Sequence, residues 1–599
     1  MSVPPTIPGT GATTPSGRRP EVELTDQTNR LPFKKLLPIF LGLALCVVVS
    51  TLDSVIVATA LPTISSAFNA GSVVSWVPSA YLLTSTCFQP LYGRFSDIFG
   101  RKSALSLAMA LFMFGNLIAG FSKTIIQMII FRGIAGAGGG GLVSMMQIVV
   151  SDIVSLRERG KYQVVAIGYA IGPVIGGALA QSVGWKWCFW VTIPVSFVAT
   201  CVVVFILPLK PVHGEIWSKL RAIDYFGTFL TLIGCTLLIL PLIWGGVVFP
   251  WKSSIVLAPL MSGFVVVAIF CFWEWKGARL PIVPMYIFKH STVTGVFIAM
   301  FVNGFVFFST LYYLPQFFQV ALGYNPLHAG LFLVPLLVTQ IIASWCAGMM
   351  VSRTGRYRAI INVGFGVWSV ACGLISTVRP GSPKAVLVIY MMLAGLGAGG
   401  TMQTTTVAVQ ASVSRRDMSV VTAMRNFIRL LGGTLSLAVA STLVNNKLRA
   451  SLASFSIPSS TITQVIDDPA LLHMPNTINI SESTAHSVLY DGYTKGFSAL
   501  FEMDAAFTVF ATAVSVLLIK HKELTRGDDE ALRQQAIQEA LEQKMAKKAG
   551  RSGTATPMPR ELESGMATPA PEATLVGHER SGESIEMAHV NKRLNEASG

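Results

Sequence analysis

The sequence predicts an all-α membrane protein: fourteen transmembrane helices in two six-helix bundles, with two additional helices between them. Three observations carry this. Of the 599 residues, 52% are hydrophobic and only 13% charged, about half the charge of soluble domains, and mean hydropathy is +0.59. Apolar runs of about 20 residues, long enough to cross a bilayer, recur along the chain. A short charged connection in the first half returns, altered, in the second.

In order, the runs are 36–60, 74–92, 103–122, 125–150, 162–182, 187–208, 225–246, 254–274, 292–316, 327–350, 359–378, 384–408, 418–443 and 497–519. They divide the chain into an N-terminal tail (1–35, disordered), an N-terminal bundle (36–208), the additional pair (209–280), a C-terminal bundle (281–520) and a second tail (521–599). The second tail reads as mostly disordered, with one surface-helix candidate, "DDEALRQQAIQEALEQKMAKK". A long loop at 445–496 carries Asn479-Ile480-Ser481, a candidate for N-glycosylation.

The net charge of +15 first suggests nucleic acid. Its placement excludes that reading. With the N-terminus in the cytosol, Lys and Arg concentrate in the cytoplasmic loops, as topology requires. Both termini are then cytoplasmic, the long loop is outer or luminal, and the expected partners are lipid and solute. The eight cysteines lie in or beside the apolar runs without a CxxC pair, so they read as small core residues. The histidines show no ligand spacing, and neither a metal nor a cofactor is expected.

The charged connection is "GRFSDIFGRKSAL", Gly93 to Leu105. Topology accounts for Arg94, Arg101 and Lys102. It leaves Asp97 unexplained, along with Gly93 and Gly100, which permit a tight turn and close helix approach. The later copy is "GMMVSRTGRYRAI", Gly348 to Ile360, where Gly348, Gly355 and Arg356 match Gly93, Gly100 and Arg101 but Ser352 replaces Asp97. Two such halves imply a parallel repeat that rocks about a midplane site.

Here a family resemblance enters. "GRFSDIFGRK" is similar to the G-x-L-x-D-R-x-G-R-K loop of the major facilitator superfamily, and "LDSVIVATALPTI" resembles the first-span signature of its fourteen-span proton-antiporter branch. "FRGIAGAGGGG" and "GYAIGPVIGG" look like its fourth-span and fifth-span motifs. "SDIVSLRERGKYQ" resembles the fungal multidrug and vacuolar basic-amino-acid carriers of that branch. The resemblance covers residues 36 to 520. It implies that Gly93, Asp97, Gly100, Arg101 and Lys102 form a cytoplasmic gate, with Asp97 at the N-terminus of a C-half helix. It also implies that Gly168, Gly172, Pro173, Gly176 and Gly177 form the antiporter bend. Only eight residues separate "KYQ" from "GP", fewer than usual in the family, so the fifth span is expected to be short.

Asp53 lies inside the first span, where a carboxylate costs about 2.5–3.5 kcal/mol to insert. It reads either as a protonatable group facing the cavity or as an acid satisfied by Thr51 and Ser54. Arg132 lies at similar depth in the fourth span, and the resemblance implies proton coupling, so an Asp53–Arg132 interaction is expected. Gly136, Gly138 and Gly141 spell a nucleotide-like motif, but in a membrane helix small residues serve close packing. Tyr81, Gln89, Gln147, Asn303, Tyr312, Gln340, Gln403 and Asn426 are the candidates for the cavity. Arg425 and Arg429 read as anchors in the first turns of the thirteenth span. Glu502 and Asp504 are further candidate carboxylates. The paired methionines read as packing.

The expectation is therefore a monomeric carrier, not an enzyme, exchanging protons for a small organic solute by alternating access. Multidrug or toxin export is the first reading. Vacuolar uptake of basic amino acids is the second, and a non-transporting nutrient sensor, signalling through its tail, is the alternative of another class. The membrane is plasma or vacuolar.

Overall fold

The computed structural model describes residues 33–68, 73, 76–156, 167–206, 216–245, 249–324, 326–455, 457–467, 471–472, 475–478 and 480–524. Asn479, residues 1–32 and residues 525–599, with the tail helix candidate, lie outside the described residues.

Long helices stand where the sequence places its fourteen spans. In the first half they are α1 (Phe33–Phe68), α2 (Trp76–Phe99), α3 (Arg101–Ala119), α4 (Ile125–Ile153), α5 (Ile167–Ser182) and α6 (Thr192–Ile206). Next come α7 (Tyr225–Trp244) and α8 (Ser254–Lys276). The second half holds α9 (Ser291–Val320), α10 (Pro326–Thr354), α11 (Arg358–Ser376), α12 (Lys384–Ser412), α13 (Met418–Ser454) and α14 (Thr494–Leu518). Among the described residues, 12 spans are long and apolar enough to cross a membrane. The two left over are α2 and α5. Uncharged polar residues explain the first, since Ser79, Thr84, Ser85, Thr86 and Gln89 lower the hydropathy of α2, and length the second, since α5 has 16 residues.

The helix pairings show the repeat directly. In the first half α1 packs on α5 and α6, α2 on α4, and α3 on α4 and α6. The second half repeats each pairing eight helices later: α9 on α13 and α14, α10 on α12, and α11 on α12 and α14. The halves meet through α2 with α13 and α5 with α10, two contacts that the same relation exchanges. The additional helices α7 and α8 pack on each other, and α7 also packs on α2 and α13.

Glycines make the repeat possible at short range. A Cβ on Gly136 or Gly140 of α4 would meet α2 at Tyr81 and Ser85, and one on Gly138 would meet Ala108 and Phe112 of α3. In α12, Gly395 and Gly399 face Leu336 and Gln340 of α10, while Gly397 faces Trp368 of α11. The same alternation recurs in both halves, so the fourth-span motif is a packing device. Gly100 and Gly355 likewise both adopt positive φ, 95° and 71°, the conformation glycine permits. They turn the chain at the equivalent places.

Large apolar side chains on α8 remain exposed, among them Phe264, Val265 and Phe272. That is the pattern of a helix whose outer face is solvated by lipid.

Candidate functional site

The connection between α2 and α3 folds into a compact charged knot. Asp97 accepts a hydrogen bond from Arg101 Nη1 at 2.5 Å, and Arg101 Nε pairs with Asp152 Oδ2 at 2.7 Å at the end of α4. Across the bundle interface, Ser419 Oγ stands 2.8 and 2.7 Å from the two carboxylate oxygens of Asp97. Ser419 is the second residue of α13, so Asp97 meets the N-terminus of a C-half helix, where the backbone dipole favours an anion. A Cβ on Gly93 would come within 3.1 Å of Ala423 Cβ, so glycine lets α2 approach α13. Lys102 is exposed on the first turn of α3 and stands outside these contacts.

Two further links tie this knot to its surroundings. Arg94 Nε donates to the Pro281 carbonyl at 2.5 Å, beyond α8, and its Nη1 lies 3.6 Å from Asp97. Tyr286 donates to Asp417, beside Ser419, at 2.6 Å. The Tyr286 hydroxyl is pushed up to about 12, by burial first and then by that hydrogen bond, so it keeps its proton throughout the physiological range.

Deeper in the N-half, Arg132 Nη1 pairs with Asp53 Oδ2 at 2.8 Å, and both residues are 0% exposed. The same nitrogen reaches Asn116 Oδ1 at 3.0 Å. The guanidinium carbon lies 4.4 Å from the centre of the Tyr81 ring and 5.5 Å from that of Phe189. Thr51 and Ser54 spend their hydroxyls on carbonyls of their own helix. The reading of Asp53 as an acid satisfied by those hydroxyls is therefore corrected: its partner is Arg132.

Between the bundles lies a cavity of about 40 Å³, room for only a few waters. Tyr81, Gln89, Gln147 and Asn426 line it. Asn426 Nδ2 donates to Gln147 Oε1 at 3.1 Å, a polar contact between the two halves. Four other candidates stand off the wall. Asn303 sits behind it, accepting from Arg429 Nε at 3.0 Å and donating to Thr401 at 3.0 Å. Gln340 faces Met402 sulfur and Gln403 is buried. Tyr312 stacks on Phe308.

The reading of Arg425 and Arg429 as helix-end anchors is overturned. Both lie two or more turns into α13, are buried, and line the cavity. Glu502 is exposed, while Asp504 is buried against Ser309 at 2.5 Å, away from the cavity. Of the fifth-span motif, Gly168 packs against Thr51 and a Cβ on Gly172 would come within 3.2 Å of Val55 Cβ, which seats α5 on α1 next to Asp53. Gly176 is buried. Of Pro173 and Gly177 only the helical backbone is described.

The comparisons with known proteins agree with this geometry. The family model described as Major Facilitator Superfamily matches residues 43–437. "Efflux pump dotC" of Dothistroma septosporum is 35% identical over 497 residues, covering 81% of this chain and 84% of its own. "Citrate exporter 1" of Yarrowia lipolytica is 34% identical over 490 residues, covering 81% of this chain and 72% of its own. Among solved structures, the proton:xylose symporter XylE aligns with a TM-score of 0.51 at 15% identity. That alignment covers 83% of this chain and 99% of XylE, and at such identity it shows the fold alone. Two matching six-helix halves, a closed charged knot between them and these relatives lead to one conclusion: the chain belongs to the Major Facilitator Superfamily and is a multi-pass membrane transporter.

Proposed function

We propose that this transporter is an exporter driven by proton antiport, with Asp53 as the proton-carrying group and Arg132 as its partner. The observation that carries the reading is the buried Asp53–Arg132 pair, one side chain from the cavity. Tyr81 belongs to both, with its ring against Arg132 and its hydroxyl within 3.2 Å of Ser50 on the cavity wall. A proton arriving at Asp53 breaks the charge balance with Arg132, and that imbalance is felt through Tyr81 where solute binds.

The Asp97–Ser419 contact serves as the cytoplasmic latch, closed in this structure. Alternating access then requires the latch to part while the far side closes. Export as the direction is supported by the relatives' names, an efflux pump and a citrate exporter. Uptake of basic amino acids is disfavoured, because among the described residues the cavity wall carries two arginines and no carboxylate.

The test is reconstitution in liposomes with an imposed pH gradient. The expected result is solute flux that follows the gradient, with the Asp53→Asn variant losing that dependence. Equal flux with and without the gradient would overturn proton coupling.

A further inference from the structure

The cavity wall has an unusual charge balance for a membrane interior. Two guanidinium groups, Arg425 and Arg429, project into it from one face of α13, and among the described residues its lining contains neither Asp nor Glu. Arg425 is fully buried. Its hydrogen-bond partners are all neutral: Asn426 Oδ1 at 2.8 Å, Thr405 Oγ1 at 3.0 Å and the Met402 carbonyl. Its Nε has no partner. Arg429 is held in place from behind by Asn303 and by the rings of Phe307 and Phe308, at 4.9 and 5.5 Å.

The buried acids among the described residues have other partners. Asp53 belongs to Arg132, Asp97 to Arg101 and Ser419, and Asp504 lies against Ser309. Arg425, a buried cation whose hydrogen-bond partners are all neutral, is costly to keep, and Arg429 one turn further on adds like-charge repulsion. An anion entering during the cycle would offset both the burial cost of Arg425 and the repulsion.

We infer that the solute is a small organic carboxylate and that Arg425 and Arg429 form its binding pair. The inference rests on the exporter reading and names its substrate class. A carboxylate matches the planar donor fork of arginine. Gln147 and Asn426 stand within the same cavity as neutral hydrogen-bonding groups, and Phe308, Leu82 and Leu430 give the remainder of the solute an apolar wall. In the latch-closed state the cavity is too small for such a molecule. The Asn426–Gln147 contact between the halves therefore parts to admit it, exposing both arginines from the C-half. An organic amine would meet two like charges there and, among the described residues, no acid.

The experiment separates binding from transport. Purified full-length protein is titrated with benzoate, succinate and citrate, and with lysine and tetraphenylphosphonium, by isothermal calorimetry at constant pH. The same panel is offered to proteoliposomes under a pH gradient. At least one carboxylate is expected to bind. Arg425→Gln and Arg429→Gln should each weaken that binding tenfold or more, and Arg425→Lys should recover part of it. The lysine variant guards against mistaking misfolding for lost affinity.

Lysine or phosphonium binding that survives Arg425→Gln, with no carboxylate bound, would overturn the anion site and leave proton-driven transport standing. Carboxylate binding lost in the glutamine variants, without flux under any gradient, would support the site and overturn the exporter reading instead.

Discussion

Ser419 Oγ lies within hydrogen-bond distance of both carboxylate oxygens of Asp97, at 2.8 and 2.7 Å, joining residues 322 positions apart. One hydroxyl shared between two anionic oxygens links the two halves at the latch end of the interface. Hydrogen bonds to charged groups contribute about 1.5–3 kcal/mol each, enough to favour closure without locking it. Ser419→Ala should therefore shift the closed-to-open ratio at this end by about ten- to a hundredfold, since 1.4 kcal/mol is tenfold. Spin labels at Ser103 and Thr354, both exposed at this end of opposite halves, report it by pulsed electron resonance. An unchanged distance distribution would count against the latch.

Arg101 holds two carboxylates with different nitrogens, Nη1 toward Asp97 and Nε toward Asp152. A lysine retains the charge but offers one compact ammonium in place of the fork. Arg101→Lys should consequently behave much like Arg101→Ala in the same distance measurement and in transport rate. Full activity in the lysine variant would show that charge alone suffices.

In the Asp53–Arg132 pair, removing one partner leaves the other charged and buried, a loss of about 3–5 kcal/mol. Asp53→Asn should lower the unfolding midpoint of the detergent-solubilised protein as well as uncouple it from protons. The repeat suggests the remedy. The position in α12 that corresponds to Arg132 is Met391, which is fully buried without any ion pair. The double variant Asp53→Asn, Arg132→Met should recover most of the stability and none of the coupling. If the double variant remains as unstable as the single one, the pair has a structural role beyond its own charge balance.

That pair was legible in the sequence because a charge within an apolar run is anomalous wherever its helix faces. The latch was legible for a similar reason: its glycines and arginine return in the second half, while its acid does not. The cavity was harder to read. Asn303, Gln340 and Gln403 are as polar as Gln147 and Asn426, yet they stand behind the wall, and only the rotation of each helix against its neighbours decides that. Arg425 and Arg429 were misread because proximity to a span's start resembles anchoring. The helix α13 begins at Met418, and its close approach to α2 and α9 buries both arginines, a tertiary effect with no local signature. The short α5 was visible from the spacing of its motifs, while residues 157–166 that precede it are outside the described ones.

The glycine alternation also makes a stability prediction with an internal control. A methyl at Gly138 would meet the backbone of Ala108 and Phe112, so helix α4 must move away from α3. Overpacking of this kind costs about 1–3 kcal/mol. Gly366 in α11 has nothing within 4 Å of a built Cβ, and alanine there gains about 0.5–1 kcal/mol of helix preference. Thermal unfolding of Gly138→Ala and Gly366→Ala should move in opposite directions. Equal, small changes would mean that α4 has slack against α3.

The two arginines of the cavity have an electrical consequence. If a monocarboxylate leaves the cytosol while one proton enters, each cycle carries two positive charges inward. At about 2.3 kcal/mol per charge per 100 mV, an inside-negative potential then supplies about 4.6 kcal/mol per cycle per 100 mV. Proteoliposomes loaded with benzoate and given a potassium diffusion potential through valinomycin, without any pH difference, should release it faster when the interior is negative. Reversing the potential should slow release. A neutral solute exchanged for one proton would carry half that charge, and a monovalent cation exchanged for one proton would carry none. The slope of the release rate against voltage therefore reads the charge of the cargo directly. A flat response with undiminished flux would contradict anion-for-proton exchange at Arg425 and Arg429.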